Sequence, residues 1–140
     1  MPRRARIDYS GLCHHVMGRT FPGMNLFDRN EDKQVFIHLL SKYPGETNFL
    51  CYAWALMDSH YHLLIQTTDL PLRQFMKPLN NNYARYFNKK NHRRGTLFSD
   101  RYKSIARYEK EGWTLSRLLQ YTAEKTGVDK ELIQNQTYYV

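Results

Sequence analysis

The run Tyr52-Ala-Trp-Ala-Leu-Met-Asp-Ser-His-Tyr-His-Leu-Leu-Ile65 decides how this chain folds. A short polar pair, Asp58-Ser59, interrupts an apolar stretch and predicts two strands, Asn48 to Met57 and His60 to Thr67, joined by a tight turn. Side chains alternate along a strand, so His60 and His62 share one face while Tyr61, Leu63 and Ile65 share the other. Two imidazoles on one face suit a hydrogen-bonded pair, or joint chelation of a divalent metal ion able to polarise a phosphodiester.

Outward from this hairpin, Leu12 to Met17 reads as a strand and Phe21-Pro-Gly-Met-Asn25 as a loop. Asn30 is a candidate N-cap for a helix with Val35, Phe36, Leu39, Leu40 and Tyr43 at amphipathic spacing, ended by Pro44-Gly45. A second helix runs from Pro71 to about Asn88. Its apolar side carries Phe75, Leu79, Tyr83, Tyr86 and Phe87, and Pro78 should kink it or delay its regular part. Thr96 to Tyr108 is extended, and a last helix covers Glu111 to Lys125 with Gly127 near its stop. This order is the βαββαβ split unit of a ferredoxin-like α+β fold, an antiparallel sheet with two helices on one face. Its first and third strands are central, which puts the histidine pair in the middle of the sheet.

A chain of 140 residues makes one domain, spanning 1–140, large enough to bury a core. The 21 Lys+Arg outnumber the 13 Asp+Glu, and six of those cations lie between Lys89 and Lys103 with one acid, Asp100. Such clustering suits either a polyanion, whose counterions each neutralised phosphate releases, or a solvated basic loop. Arg3, Arg4, Lys89, Lys90, Arg93, Arg94, Arg101 and Lys103 are the phosphate candidates. Eleven tyrosines supply both core and faces on which unpaired bases can stack, His92 and Tyr102 among the stacking candidates. Cys13 and Cys51 have no metal-binding spacing and are expected as free thiols in a reducing compartment. No signal peptide or membrane span is visible, so a cytoplasmic location is expected.

Four blocks resemble the single-tyrosine HUH transposases, nearest to the REP-associated tyrosine transposases. Leu56-Met-Asp-Ser-His-Tyr-His-Leu-Leu-Ile65 is similar to their LMPNHxHLL signature, and Asn80-Asn-Asn-Tyr-Ala-Arg-Tyr-Phe-Asn-Lys-Lys90 to their LNxxYxxYFNxR helix. Arg94-Gly-Thr-Leu-Phe-Ser-Asp-Arg-Tyr-Lys-Ser104 resembles RGxLFxxRxKS, and Arg6-Ile-Asp-Tyr-Ser-Gly-Leu-Cys-His-His-Val16 resembles RxxYPGxxYHV. The resemblance implies an enzyme that cuts and rejoins single-stranded DNA near a hairpin. It implies Mg²⁺ or Mn²⁺ held by His60, His62 and a polar residue of the last helix. It also implies a tyrosine nucleophile that leaves a 5′-phosphotyrosine and a free 3′-hydroxyl.

In Leu118-Leu-Gln-Tyr121-Thr-Ala-Glu-Lys125, similar to the family's LxRYxxxNP, the nucleophile falls on Tyr121, with Tyr108 in reserve. Tyr83 and Tyr86 match structural positions. Lys125 stands where relatives carry a metal-binding Asn or Gln, and an ammonium offers no lone pair. The third ligand is then missing, supplied by water and the DNA phosphate, or replaced by Glu124, about 100° round the helix, with Gln120 a weaker substitute. Asp58 either makes the turn or accepts a histidine N–H, and His14 and His15, which face opposite ways, are structural unless one of them approaches the site. Two activities follow: hairpin nicking and strand transfer, or hairpin binding by a relative that has lost cleavage. A metal-dependent hydrolase unrelated to the family is weaker, for want of a further ligand cluster. Relatives include monomers and homodimers.

Overall fold

The computed structural model describes residues 11–47 and 49–107. Six elements follow one another: β1 (Cys13–Arg19), α1 (Asn30–Thr47), β2 (Leu50–Leu56), β3 (His60–Gln66), α2 (Arg73–Lys90) and β4 (Lys103–Arg107). The strands form one sheet in the order β2-β3-β1-β4, with every neighbouring pair antiparallel. This is the ferredoxin-like arrangement expected, with β1 and β3 central. The expected last helix, and with it Tyr108, Tyr121, Glu124 and Lys125, lies outside the described residues, as do Arg3 and Arg4.

The alternation of β3 builds the core. Tyr61, Leu63 and Ile65 are at most 1% exposed and join Val16 of β1, Phe36 and Leu40 of α1, and Phe75, Leu79, Tyr83 and Phe87 of α2. Phe36 sits at the centre of an aromatic knot, 4.9 Å from the Tyr61 ring and 5.3 Å from that of Tyr83. Offset and edge-on contacts of this kind add to the area that they bury. The buried phenols are matched. Tyr61 donates to Asn80 Oδ1 (2.7 Å) and Tyr83 to the Leu26 carbonyl (2.6 Å), which gives Tyr83 the structural role expected of it.

Gly18 of β1 lies opposite Tyr61. A Cβ there would meet the ring at 2.5 Å, so only glycine lets the two strands pair with that ring between sheet and helices.

Three boundaries differ from expectation. α1 runs through Pro44 and Gly45 to Thr47, since a proline this close to a helix end removes only one late hydrogen bond. At its start Asn30 is already helical, and Asp32 Oδ2 reaches back to the N–H groups of Asp28 and Arg29, both at 3.1 Å. β4 starts only at Lys103. Before it, residues 97–99 are tied to the end of β1 by a Thr20–Phe98 bridge and a bond from the Ser99 N–H to the Arg19 carbonyl.

α2 does continue through Pro78. It ends on a Schellman turn, with the Arg93 N–H on the Asn88 carbonyl and His92 in the left-handed region at φ 50°. Cys13 and Cys51 are free, and burial pushes both thiols up to about 12.

Candidate active site

The two histidines emerge on the sheet face turned away from the helices. The antiparallel register sets Met17 opposite His62 and Arg19 opposite His60 across the β1–β3 pair, and Lys103 opposite Met17 across β1–β4. Cross-strand partners share a face, so one face gathers His15, Met17 and Arg19 from β1, His60 and His62 from β3, and Lys103 from β4. An open cleft of about 560 Å³ lies over it, lined by both histidines and by Arg19, Ser99, Asp100, Arg101 and Lys103.

The His60 and His62 rings stand 5.0 Å apart and at 89° to one another. His62 Nδ1 is 3.1 Å from Nε2 of His15, and His60 Nδ1 is 3.1 Å from the Ser59 hydroxyl. Burial, then the neighbouring His15 and His60, pull the His62 pKa down to about 3. His60 is also held below its ordinary value, first by burial and then by the Arg19 charge. Both imidazoles are therefore neutral near pH 7, the form in which histidine binds metal. With each Nδ1 engaged by a neighbouring side chain, Nε2 is the ring nitrogen left to each histidine for a cation. The pair thus fits a divalent cation as a two-nitrogen donor set. Among the described residues no cluster of three His, Cys, Asp or Glu side chains offers a fuller one.

The basic residues divide into two groups. Lys90 is turned inward: its ammonium meets Asp32 Oδ1 at 2.7 Å, and that carboxylate is 1% exposed. Burial alone would raise the Asp32 carboxyl, but hydrogen bonds from Lys90, the Arg29 N–H and Tyr86 together hold it below its ordinary value. Tyr86 is thereby structural, as expected. Arg93 is likewise engaged, donating to Asn88 Oδ1 (3.0 Å) and to the Thr96 carbonyl (3.1 Å). Lys89, Arg94, Arg101 and Lys103 remain exposed, and of these Arg101 and Lys103 line the cleft.

Arg19 is the basic residue that sequence reasoning missed. Only the strand register could have marked it, by placing it opposite His60. His15, one of two histidines left open, is the one that reaches the site, whereas His14 lies on the helix side with Val16. Asp58 lies in the turn, which the Met57 N–H closes on the His60 carbonyl (2.8 Å), and its own carbonyl accepts the N–H groups of Leu26 (2.6 Å) and Phe27 (3.2 Å). His92 is exposed and Tyr102 half-buried.

Solved structures that share the fold include two transposases. One is a REP-associated tyrosine transposase bound to a REP hairpin, with TM-score 0.66 and 15% identity over 93% of this chain and 77% of that one. The other is a candidate transposase from Deinococcus radiodurans R1, with TM-score 0.56 and 20% identity over 89% of this chain and 98% of that one. No curated protein matches the chain. The family described as IS200-like transposase matches residues 9–125, a span that holds the whole sheet, both helices and the histidine pair. This chain therefore belongs to the IS200-like transposases and is an enzyme of DNA transposition.

Proposed function

We propose that this transposase nicks and rejoins single-stranded DNA beside a hairpin, through a covalent tyrosine intermediate. The observation that carries this reading is the cleft. Two neutral imidazoles share it with Arg19, Arg101 and Lys103, cations with no ion-pair partner among the described residues. Such a surface suits a phosphodiester, and its three cations would each displace a counterion from the strand. The REP-associated tyrosine transposase of the same fold is bound to a hairpin, which supports hairpin DNA as the partner here.

Mg²⁺ or Mn²⁺ bound by His60 and His62 would supply positive charge to the phosphoryl oxygens. Tyr121 is the proposed nucleophile. Its oxygen bonds to phosphorus, the bond to the 3′-oxygen breaks, and a free 3′-hydroxyl leaves while the 5′-phosphate stays on the tyrosine. A phenol with a pKa near about 10 is a poor free nucleophile at pH 7, so the burden falls on alignment of the strand, for which Arg19, Arg101 and Lys103 are suited. Glu124 is the proposed third ligand. Rejoining reverses the step, because the phosphotyrosine ester keeps the bond energy.

The test is incubation with labelled single strands carrying a hairpin, with Mg²⁺ or Mn²⁺, followed by denaturing gel and peptide mass. The expected product is an adduct on Tyr121 that is lost in Tyr121→Phe. An adduct on Tyr108 would keep the chemistry and move the nucleophile. Lys125, in place of the relatives' Asn or Gln, favours a second reading, binding without cleavage. Salt-sensitive hairpin binding with no adduct in either metal would establish it.

A further inference from the structure

We infer that His15 is a positioning residue: its Nε2 accepts the Nδ1 proton of His62 and so turns the Nε2 lone pair of His62 toward the cleft. The inference rests on the proposed role of His60 and His62 as a cation-binding pair, but its first consequence concerns the metal-free protein.

His15 Nε2 and His62 Nδ1 are 3.1 Å apart, with ring centroids 5.3 Å apart and planes tilted by 36°. One hydrogen bond between two imidazole nitrogens carries one proton, so two arrangements are open. If His15 donates, neutral His62 carries its proton on Nε2 and shows the cleft an N–H, which cannot bind a cation. If His62 donates, its Nε2 shows a lone pair.

The charge around the cleft favours the second. Arg19, Arg101 and Lys103 line the same cleft without an ion-pair partner among the described residues, and a cationic wall favours the lone-pair end of the imidazole dipole over its N–H end. Among the described residues Asp100 is the one carboxylate in the lining, with Oδ1 accepting the Arg101 N–H at 2.7 Å, and the three cations outnumber it.

His15 is built to hold still. It is 1% exposed and lies on an interior strand, paired with Leu64 on one side and Ile105 on the other. Its ring cannot follow His62 if that side chain turns, so the bond fixes which edge of His62 faces outward. A partner that orients a ligand histidine in this way is worth about 10–100-fold in metal affinity.

The experiment uses the full chain labelled with ¹⁵N in histidine. Long-range ¹H–¹⁵N spectra of the metal-free protein at neutral pH should show His62 protonated on Nδ1; protonation on Nε2 overturns the proposal. Mn²⁺ is then titrated, with free ion read by electron paramagnetic resonance, into wild type, His15→Phe and His15→Gln. The phenylalanine variant should bind about 10–100-fold more weakly. The glutamine variant, whose amide oxygen accepts the same proton, should keep most of the affinity. Equal affinity in wild type and His15→Phe overturns the proposal.

If wild type binds no Mn²⁺, the cation-binding role of the pair fails, and the tautomer still decides the role of His15. A weaker Nδ1 preference in His15→Phe than in wild type then supports the proposal, and an unchanged preference overturns it. Should His15→Phe fail to fold, His15→Gln decides, since retention of Nδ1 protonation supports the proposal and its reversal overturns it.

Discussion

Replacing Gly18 with alanine should destabilise this protein far more than a single methyl group suggests. The new Cβ would lie 2.5 Å from Cζ of Tyr61 and 2.6 Å from its Cε1 and hydroxyl. Carbon atoms prefer about 3.5–4.0 Å, so the ring must retreat by about 1 Å. It has nowhere to go, because Tyr61 is fully buried, with the Phe36 ring 4.9 Å away and its hydroxyl held by Asn80 at 2.7 Å. Overpacking of a core costs about 1–3 kcal/mol. Pulling the phenol off Asn80 costs about 1–3 kcal/mol more. The reduced freedom of alanine in the unfolded chain returns about 0.4–1 kcal/mol. The net loss is about 3 kcal/mol, a large share of the stability of a domain this size. Urea denaturation followed by far-UV circular dichroism measures it, with an unchanged slope marking a pure change in stability. In a Tyr61→Leu background, where the ring is gone, the same alanine should cost less than about 1 kcal/mol. A cost below about 1 kcal/mol in wild type, or equal costs in both backgrounds, would refute the steric argument.

Arg19→Gln should weaken binding of hairpin DNA and lower its salt dependence by about one unit of slope, measured by fluorescence anisotropy across a salt series. The same change should let the His60 pKa rise by removing the lesser of the two influences that depress it, as an NMR titration would record. Stability should fall on acidification, because unfolded His62 takes a proton below about 6.5 while the folded side chain resists until about 3. Between pH 7 and 5 the loss is about 2 kcal/mol by urea titration, and His62→Gln should flatten it. His92→Gly should raise the melting temperature, worth about 1 kcal/mol, since glycine meets no penalty at the left-handed position that closes α2.

The hairpin around Asp58-Ser59 was legible because the alternation of Tyr61, Leu63 and Ile65 against His60 and His62 admits one assignment of faces. The stripe on α2 was legible for a similar reason, as Phe75, Leu79, Tyr83 and Phe87 recur at the helical period and all prove buried. What escaped depends on pairing between distant segments. Nothing in the run from Lys89 to Lys103 tells that Lys90 meets Asp32, 58 residues earlier, while Lys103 faces the cleft. Arg19 and His15 belong to the site only through the register that sets Met17 against His62, and a shift of one residue would have brought His14 instead. The reach of α1 beyond Pro44 was hidden because proline marks a local penalty, and a penalty of one bond near a helix end can be outweighed by packing further up.

The strict alternation of β3 ties correct assembly to survival. A slip of one residue against β1 would turn both imidazoles in among the phenylalanines and carry Tyr61, Leu63 and Ile65 out of the core onto the cleft face. A molecule with its histidine face misassembled is therefore also one that has lost its core, too unstable to persist and open to proteolysis. Errors in the proposed active centre cannot accumulate silently in a well-folded population, so the fold proofreads the site.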